Sequence, residues 1–401
     1  MSVDHDVRLV LTSQALRAFG YGFGSVLLAS TLAERGLSAI EVGVVLAALV
    51  LGTVIAQLAI ARWADAWGRR RSYLTLYLVL GLAGFVFAST APLWMLVAVA
   101  LTGALSAEVI ESGPFTTLEL SMLSGRLQAD AFASGFGWYN AIAAAAGSLG
   151  ALSAALPHLS RTVWIDAPAD RLWFLMLVAI GVAGMLIARR LSPAVEVGAR
   201  RRTTAPLGPS RPAVTRLAGL FAVDAFAGGF VVQTFIAFWL IDRYKASTAV
   251  VGSLFAAIGV IQTLSFLAAP LLARRWGLLN TMVFTHLPSN LFLASVAFAP
   301  SLPVAAALLL ARAALSQMDV PTRQAYVMTL VEPEERTAAT AYTNTARYVV
   351  RPLGPVIAGA AVTLAAGTPF LIAGLLKSLY DLTLWSWFRT IPLPLRKETT
   401  Q

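Results

Sequence analysis

Residues 39–89 read AIEVGVVLAALVLGTVIAQLAIARWADAWGRRRSYLTLYLVLGLAGFVFAS. Two apolar runs flank a short charged segment, ARWADAWGRR, at residues 61–70. A run of roughly 20 apolar residues is long enough to cross the hydrocarbon core of a bilayer as a helix. The stretch is therefore typical of two membrane-spanning helices joined by a tight, positively charged turn.

The composition of the whole chain extends this interpretation. Hydrophobic residues make up 58% and charged residues 12% of its 401 residues, and the mean hydropathy is +0.74. A soluble domain carries about a quarter charged residues, and one this apolar would expose large hydrophobic patches to water. The surplus apolar surface is therefore expected to face lipid. The net charge of +10 comes from arginines between the apolar runs, so it does not indicate a nucleic-acid partner.

The apolar runs predict an all-α polytopic membrane protein with twelve transmembrane helices. Six fall in a first half and six in a second. Residues 189–216 separate them and hold seven arginines, four prolines and one carboxylate, Glu196. The predicted domains are an amino-terminal bundle at 1–190, a cytoplasmic linker at 191–215 and a carboxy-terminal bundle at 216–401. The predicted spans are 10–32, 40–60, 73–91, 93–113, 134–156, 172–189, 217–240, 249–272, 279–299, 303–320, 340–366 and 370–389.

The two halves repeat each other at a nearly constant offset of about 207–209 positions. Three pairs of segments correspond: 36–43 with 245–252, Trp67-Gly68 with Trp276-Gly277, and Gly113-Pro114 with Val320-Pro321. Parallel repeats of six helices, related by an axis along the membrane normal, are the layout of one large transporter fold. The sequence therefore predicts two pseudo-symmetric six-helix bundles.

With the turn at residues 61–70, this pattern resembles the major facilitator superfamily, whose mark between helices 2 and 3 is G-x-x-x-D-R-x-G-R-R. Asp65, Gly68, Arg69 and Arg70 match that pattern, while positions 61 and 66 hold alanine. The resemblance covers essentially the whole chain. It implies alternating access by rocking of the two bundles, with these four residues acting as a conformational latch.

The placement of basic residues predicts the topology. If both termini are cytoplasmic, the outside loops hold five basic residues: Arg35, Arg161, Arg171, Arg243 and Lys245. Most of the others then lie inside, as the positive-inside rule requires. We expect an integral protein of a bacterial inner membrane, working as a monomer.

Ionisable residues inside the predicted spans are the first candidates for function, because a charge in the bilayer is costly and needs a partner or a role. Arg17 lies about two turns into the first span, and Glu108 and Glu111 lie near the inner end of the fourth. We predict that Arg17 pairs with one of these glutamates. The other glutamate would bind a proton or a cationic group, unless the pair is only a link between helices.

The second half has its own charged residues. Asp224 lies beside Gly228-Gly229 in the seventh span and could gain and lose a proton near neutral pH; alternatively it only neutralises a neighbouring arginine. Lys377 and Asp381, four residues apart in the last span, are expected to satisfy each other. Four further candidates for substrate or proton coupling are Arg312 and Asp319 in the tenth span and Arg347 and Arg351 in the eleventh.

Polar residues in other spans complete the candidates: Asn140, Gln233 and Asn344 could hydrogen-bond a substrate or a neighbouring helix. Other chemistries are disfavoured. The three histidines, His5, His158 and His286, lie in separate segments, and the chain has no cysteine, so no metal-ligand pattern appears. There is no phosphate-binding loop and no nucleophile motif. We therefore expect no cofactor, no metal and no enzymatic activity.

These observations predict a secondary transporter of a small solute, with the bilayer, the solute and protons as partners. Efflux of small amphipathic compounds is favoured, because the helices that line the central cavity in the resembled family, the first, fourth, seventh and tenth, are apolar here with few polar groups. Proton-coupled uptake of a metabolite is the nearest alternative. A polytopic membrane enzyme or a flippase-like protein is the alternative from a different class.

Overall fold

The computed structural model describes residues 5–89, 92–106, 113–124, 132–163, 168–196, 207–331 and 335–391. Within these ranges the chain is helical and has no strand. The helices, in chain order, are α1 His5–Glu34, α2 Ala39–Trp67, α3 Arg69–Ala88, α4 Leu93–Ala100, α5 Gly113–Ser124, α6 Phe132–Ser153, α7 Leu156–Val163, α8 Leu175–Arg189, α9 Arg211–Gly229, α10 Gln233–Tyr244, α11 Thr248–Trp276, α12 Leu278–Val296, α13 Leu302–Ser316, α14 Asp319–Leu330, α15 Arg336–Val350, α16 Leu353–Val362 and α17 Thr368–Phe388. Short 3-10 turns, Asp170–Phe174 and Pro193–Glu196, flank α8.

The seventeen helices described fall within or overlap the twelve predicted spans. Five spans consist of two consecutive helices: α4 with α5, α6 with α7, α9 with α10, α13 with α14, and α15 with α16. Among the described residues, seven spans are long and apolar enough by themselves to cross a membrane. The prediction of an all-α polytopic fold is confirmed.

Two span ends differ from the prediction. The predicted span at 93–113 is broken after α4, and α5 then continues to Ser124; the predicted span at 303–320 is broken after α13, and α14 continues to Leu330. Gly113 has φ +102°, a conformation that glycine adopts without strain. Because we ended both spans near the break, we missed Glu119 in α5 and Arg323 in α14.

The chain divides into two compact units by internal contacts. The first comprises 1–200 together with 232–260, and the second comprises 201–231 together with 261–401. The first unit therefore includes α10 and the first part of α11, which belong to the second half of the sequence. The domain boundaries given by the sequence remain a prediction.

The turns that the repeat predicts are built alike in the two halves. Gly68 joins α2 to α3 with φ +104° and donates to Ala64 O, and Gly277 joins α11 to α12 with φ +80° and donates to Ala273 O. Only glycine adopts such φ values at little cost. Ser38 and Ser247 begin the preceding helices by accepting a hydrogen bond from the backbone N–H three residues later.

Each unit contains very close helix contacts at glycine, and two of them lie at glycines of α1 and α9. In the first unit, a Cβ added to Gly22 of α1 would lie 2.0 Å from the carbonyl oxygen of Gly147 in α6. In the second unit, a Cβ added to Gly229 of α9 would lie 2.5 Å from Arg351 O and 3.0 Å from the Cα of Gly354. Small residues let membrane helices approach this closely.

Candidate functional site

In the described part of each unit, a cluster of ionisable side chains is buried between helices. The amino-terminal cluster consists of Gln14 and Arg17 on α1, Tyr73 on α3, Glu119 on α5 and Tyr139 on α6. At its centre, Arg17 Nη2 lies 2.7 Å from Glu119 Oε2, with 1% and 0% of the two side chains exposed. Burial of this pair is possible because other groups complete its hydrogen bonds.

Glu119 accepts hydrogen bonds from three side chains. Besides Arg17, the hydroxyl of Tyr73 donates to Glu119 Oε1 at 2.7 Å and that of Tyr139 donates to Oε2 at 2.5 Å. Arg17 also donates to the side-chain oxygen of Gln14. Charge-assisted bonds of this kind are about twice as strong as neutral ones, so the cluster fixes α1, α3, α5 and α6 together.

Aromatic rings enclose the arginine. The guanidinium carbon of Arg17 lies 5.2 Å from the ring centroid of Tyr21 and 5.1 Å from that of Phe115. Both distances fall in the range of cation–π contacts. The remainder of the guanidinium is thus covered by π-faces instead of lipid or water.

The observed partner differs from the prediction. We expected Arg17 to pair with Glu108 or Glu111, and both lie outside the described residues. Among the described residues, the carboxylate bound to Arg17 is Glu119, which the sequence analysis missed because it ended the fourth span at residue 113. The repeat offers the missing signal: Arg323 follows Glu119 by about 204 positions, and Asp224 follows Arg17 by about 207.

The carboxy-terminal cluster is larger. It contains Asp224 on α9, His286 and Asn290 on α12, Asp319 and Arg323 on α14, and Lys377 and Asp381 on α17, all at most 7% exposed. Lys377 Nζ lies 2.5 Å from Asp224 Oδ1. Arg323 Nη1 lies 2.7 Å from Asp319 Oδ2 and 3.7 Å from Asp224 Oδ2. Asp224 therefore connects the lysine of α17 with the arginine of α14.

A histidine and an asparagine bind the remaining aspartate. His286 Nδ1 lies 3.0 and 3.1 Å from the two carboxylate oxygens of Asp381. Asn290 Nδ2 donates to Asp381 Oδ2 at 2.8 Å. The bond with the carboxylate places a hydrogen on Nδ1 of the imidazole.

Two interpretations change with this geometry. The predicted pair of Lys377 with Asp381 is wrong: Lys377 binds Asp224, and Asp381 binds His286 and Asn290. Packing of α17 against both α9 and α12 gives each side chain a nearer partner than its helical neighbour. For Asp224, the contacts agree with the alternative of neutralising a basic neighbour, although the principal neighbour is a lysine.

The other predicted candidates are distributed over several helices. Arg347 is near enough to add to the electrostatic field at Asp224. Arg351 follows the last residue of α15, and its N–H donates to Arg347 O. Gln233 Nε2 donates to Ser25 Oγ at 3.0 Å within the first unit. Arg312 and Asn344 are partly buried on α13 and α15, and Asn140 is exposed on α6.

The predicted latch segment is held by a carboxylate of the linker. Glu196 accepts from the backbone N–H of Arg69 at 2.7 Å and of Arg70 at 3.0 Å, the first two residues of α3. A carboxylate at a helix amino terminus binds free N–H groups and the positive end of the helix dipole. Gly68 supplies the turn before them. The side chain of Asp65 is not among those described.

The two clusters use opposite charges at corresponding sequence positions. In the first half the cation is on the first span and the carboxylate on the fourth; in the second half Asp224 is on the seventh span and Arg323 on the tenth. An inherited helix arrangement with exchanged charges fits a duplicated bundle. The family model described as Major Facilitator Superfamily matches residues 10–355.

The chain belongs to the Major Facilitator Superfamily. It is 23% identical over 390 residues to the Saccharomyces cerevisiae protein named uncharacterized membrane protein YJR124C, covering 88% of this chain and 87% of that one. The crystal structure of the nucleoside transporter NupG superimposes with a TM-score of 0.71 at 15% identity, covering 96% of this chain and 98% of that one. The D-xylose–proton symporter gives a TM-score of 0.72 at 14% identity, with the same coverages.

These similarities confirm the fold of Major Facilitator Superfamily transporters for nearly the whole chain. Membership of the Major Facilitator Superfamily indicates an integral membrane transporter rather than an enzyme, with a small-molecule substrate. At identities this low the solved structures establish the fold alone.

Proposed function

We propose that the chain is a proton-coupled secondary transporter that works by alternating access and exports small amphipathic compounds. The observation that carries the proposal is the carboxy-terminal cluster: three carboxylates, two cations and a histidine buried among helices of a membrane protein. Ionisable groups within a membrane are costly, and in transporters they mark ion and substrate pathways. The absence of a phosphate-binding loop from the sequence leaves an ion or solute gradient as the energy source.

The export of amphipathic solutes rests on the low polarity of the spans. Apart from the two clusters, the polar candidates are few, among them Asn140, Gln233 and Asn344. A pocket with few polar groups favours an apolar ligand body with one polar end. The predicted latch residues Asp65, Gly68, Arg69 and Arg70 would guide the exchange between conformations, and Glu196 would keep the start of α3 in place.

Uptake of a metabolite is the second candidate. It is favoured by the likeness in fold, over nearly the full length, to a nucleoside transporter and to a D-xylose–proton symporter. These solutes carry many hydroxyl groups, so uptake of such a compound would require more polar contacts than the export of an amphipathic one.

Proteoliposomes enclosing a pH-sensitive dye test the proposal. With a pH gradient imposed, candidate solutes are added one class at a time: an amphipathic cation such as ethidium, a pentose and a nucleoside. We expect the amphipathic class to change the internal pH, in vesicles with the transporter and not in empty ones. Proton movement with the pentose or the nucleoside would instead support uptake. No movement with any class, together with accelerated movement of a fluorescent lipid between leaflets, would refute the proposal in favour of a flippase-like protein.

We also propose a bacterial inner membrane location, cytoplasmic termini and a monomeric unit. The concentration of arginines between the predicted inside ends of the spans supports the orientation. Because the chain has no cysteine, a single cysteine can be placed at Thr399 without background labelling. We expect a membrane-impermeant maleimide to label it only after the cells are permeabilised. Labelling in intact cells would contradict the orientation.

A further inference from the structure

The histidine and aspartate of the carboxy-terminal cluster form a pair whose charge balance depends on one proton. Lys377 binds Asp224, and Arg323 binds both Asp319 and Asp224, so these two fixed cations are engaged with those two carboxylates. The partners of Asp381 are His286 and Asn290, and neither is permanently charged. Asp381 is therefore balanced by a cation only while His286 carries a second proton.

Lys377 offers Asp381 an alternative partner. The two residues lie four positions apart on α17, which is the spacing at which side chains on one helix can meet. In the structure Lys377 reaches across to Asp224 of α9 instead. Asp224 also has Arg323 at 3.7 Å, so it can keep a cationic partner when the lysine turns away.

We propose that His286 and Asp381 are the proton-binding site of the transporter, and that proton release transfers Lys377 from Asp224 to Asp381. This inference rests on the proposed function. The proton passes from Nε2 of the imidazolium to a water molecule, which breaks that N–H bond and forms an O–H bond, and the hydrogen on Nδ1 remains hydrogen-bonded to the carboxylate. Asp381, no longer facing a cation, then attracts Lys377, and the link between α17 and α9 weakens. Proton binding at Nε2 reverses the exchange.

The surroundings of His286 are charged on several sides. His286 faces Lys377, Tyr380 and Asp381 of α17. It also interacts electrostatically with Asp319 of α14 and with Asp224 of α9. The helix α13, which also packs against α12, carries one charged residue, Arg312.

Two further buried groups adjoin the pair. Asn290 Oδ1 and the hydroxyl of Tyr380 have no hydrogen-bond partner within the described part of the chain. They provide an acceptor and a donor next to a site whose hydrogen bonds change when a proton enters or leaves.

The sequence makes this site accessible to nitrogen NMR. The chain has three histidines, and replacing His5 and His158 by Gln leaves His286 as the single imidazole. It also has three lysines, Lys245, Lys377 and Lys397, of which K245Q and K397Q leave one. A sample labelled with nitrogen-15 in both residue types reports the protonation of His286 and the environment of the Lys377 ammonium in the same titration.

We expect the His286 nitrogens to pass from the cationic to the neutral form within the range of about pH 5–8 in which histidine exchanges its proton. The Lys377 ammonium signal should change over the same steps. When the pH is lowered across that range in weak buffer, the wild-type protein should bind about one more proton than H286Q, as measured with a pH-sensitive dye. The matched control D242N alters an exposed aspartate and should bind protons as the wild type does.

An imidazole that keeps one form throughout, or a Lys377 signal that stays constant while His286 titrates, would overturn the proposal. These readings need no folded H286Q and no known substrate. Failure of the proton site is therefore distinguishable from failure of the proposed transport, which the proteoliposomes test separately.

Discussion

Replacing Glu119 by Gln tests how the amino-terminal cluster is held together. The change preserves the shape of the side chain but removes the charge that balances Arg17, whose exposed fraction is 1%. Breaking one partner of a buried ion pair leaves an uncompensated buried charge and costs about 3–5 kcal/mol. The hydroxyls of Tyr73 and Tyr139 also lose a charged acceptor. We expect E119Q to lower the free energy of unfolding by about 3–5 kcal/mol.

The measurement is unfolding in mixed detergent micelles, followed by tryptophan fluorescence, with two comparison variants. Removing both charges in R17M/E119Q should restore most of the loss, because no uncompensated charge is then buried and the glutamine amide oxygen still accepts from Tyr73 and Tyr139. Breaking the exposed pair of Asp242 with Lys245 in D242N should cost about 0–1 kcal/mol. The reasoning is refuted if E119Q unfolds like D242N, or if the double variant is less stable than E119Q.

Three further predictions concern other parts of the fold. D224N should destabilise the protein by about 3–5 kcal/mol in the same unfolding assay, because Lys377 loses its partner on α9 while His286 and Asn290 still bind Asp381. Adding K377M should recover stability, and no recovery would disprove the pairing. G22A should lower the melting temperature, because the added Cβ would lie 2.0 Å from the carbonyl oxygen of Gly147, at a cost of about 1–3 kcal/mol. G219A has open space around the added Cβ and should raise or preserve the melting temperature, and equal effects of the two variants would contradict the close crossing. Hydrogen bonds from Ser210 and Gly208 lower the pKa of Glu335, so this carboxylate stabilises the fold above its unfolded pKa and stops doing so as the pH falls through the lower folded pKa. The stability of E335Q should lack that acid-dependent component, and identical pH profiles of wild type and E335Q would contradict this.

The sequence by itself determined the fold class and the number of spans. Apolar runs of membrane length, the glycine turns at Gly68 and Gly277 and the offset between the halves are local features, and each is decided by the chain within a few residues. The close approaches at Gly22 and Gly229 also follow from small residues in an apolar helix. Pairing of the buried charges could also be anticipated, because an ionised group in hydrocarbon requires a partner.

Which charges meet was decided only by the tertiary structure. Arg17 binds Glu119, about 102 positions away, and Lys377 binds Asp224 in preference to Asp381 one helical turn away on the same helix. Partner choice depends on how helices distant in sequence cross and rotate against each other, and a sequence pattern carries neither quantity. The helices that follow the two breaks, α5 and α14, place Glu119 and Arg323 in the buried interior. A charge that is removed from water there needs an oppositely charged partner.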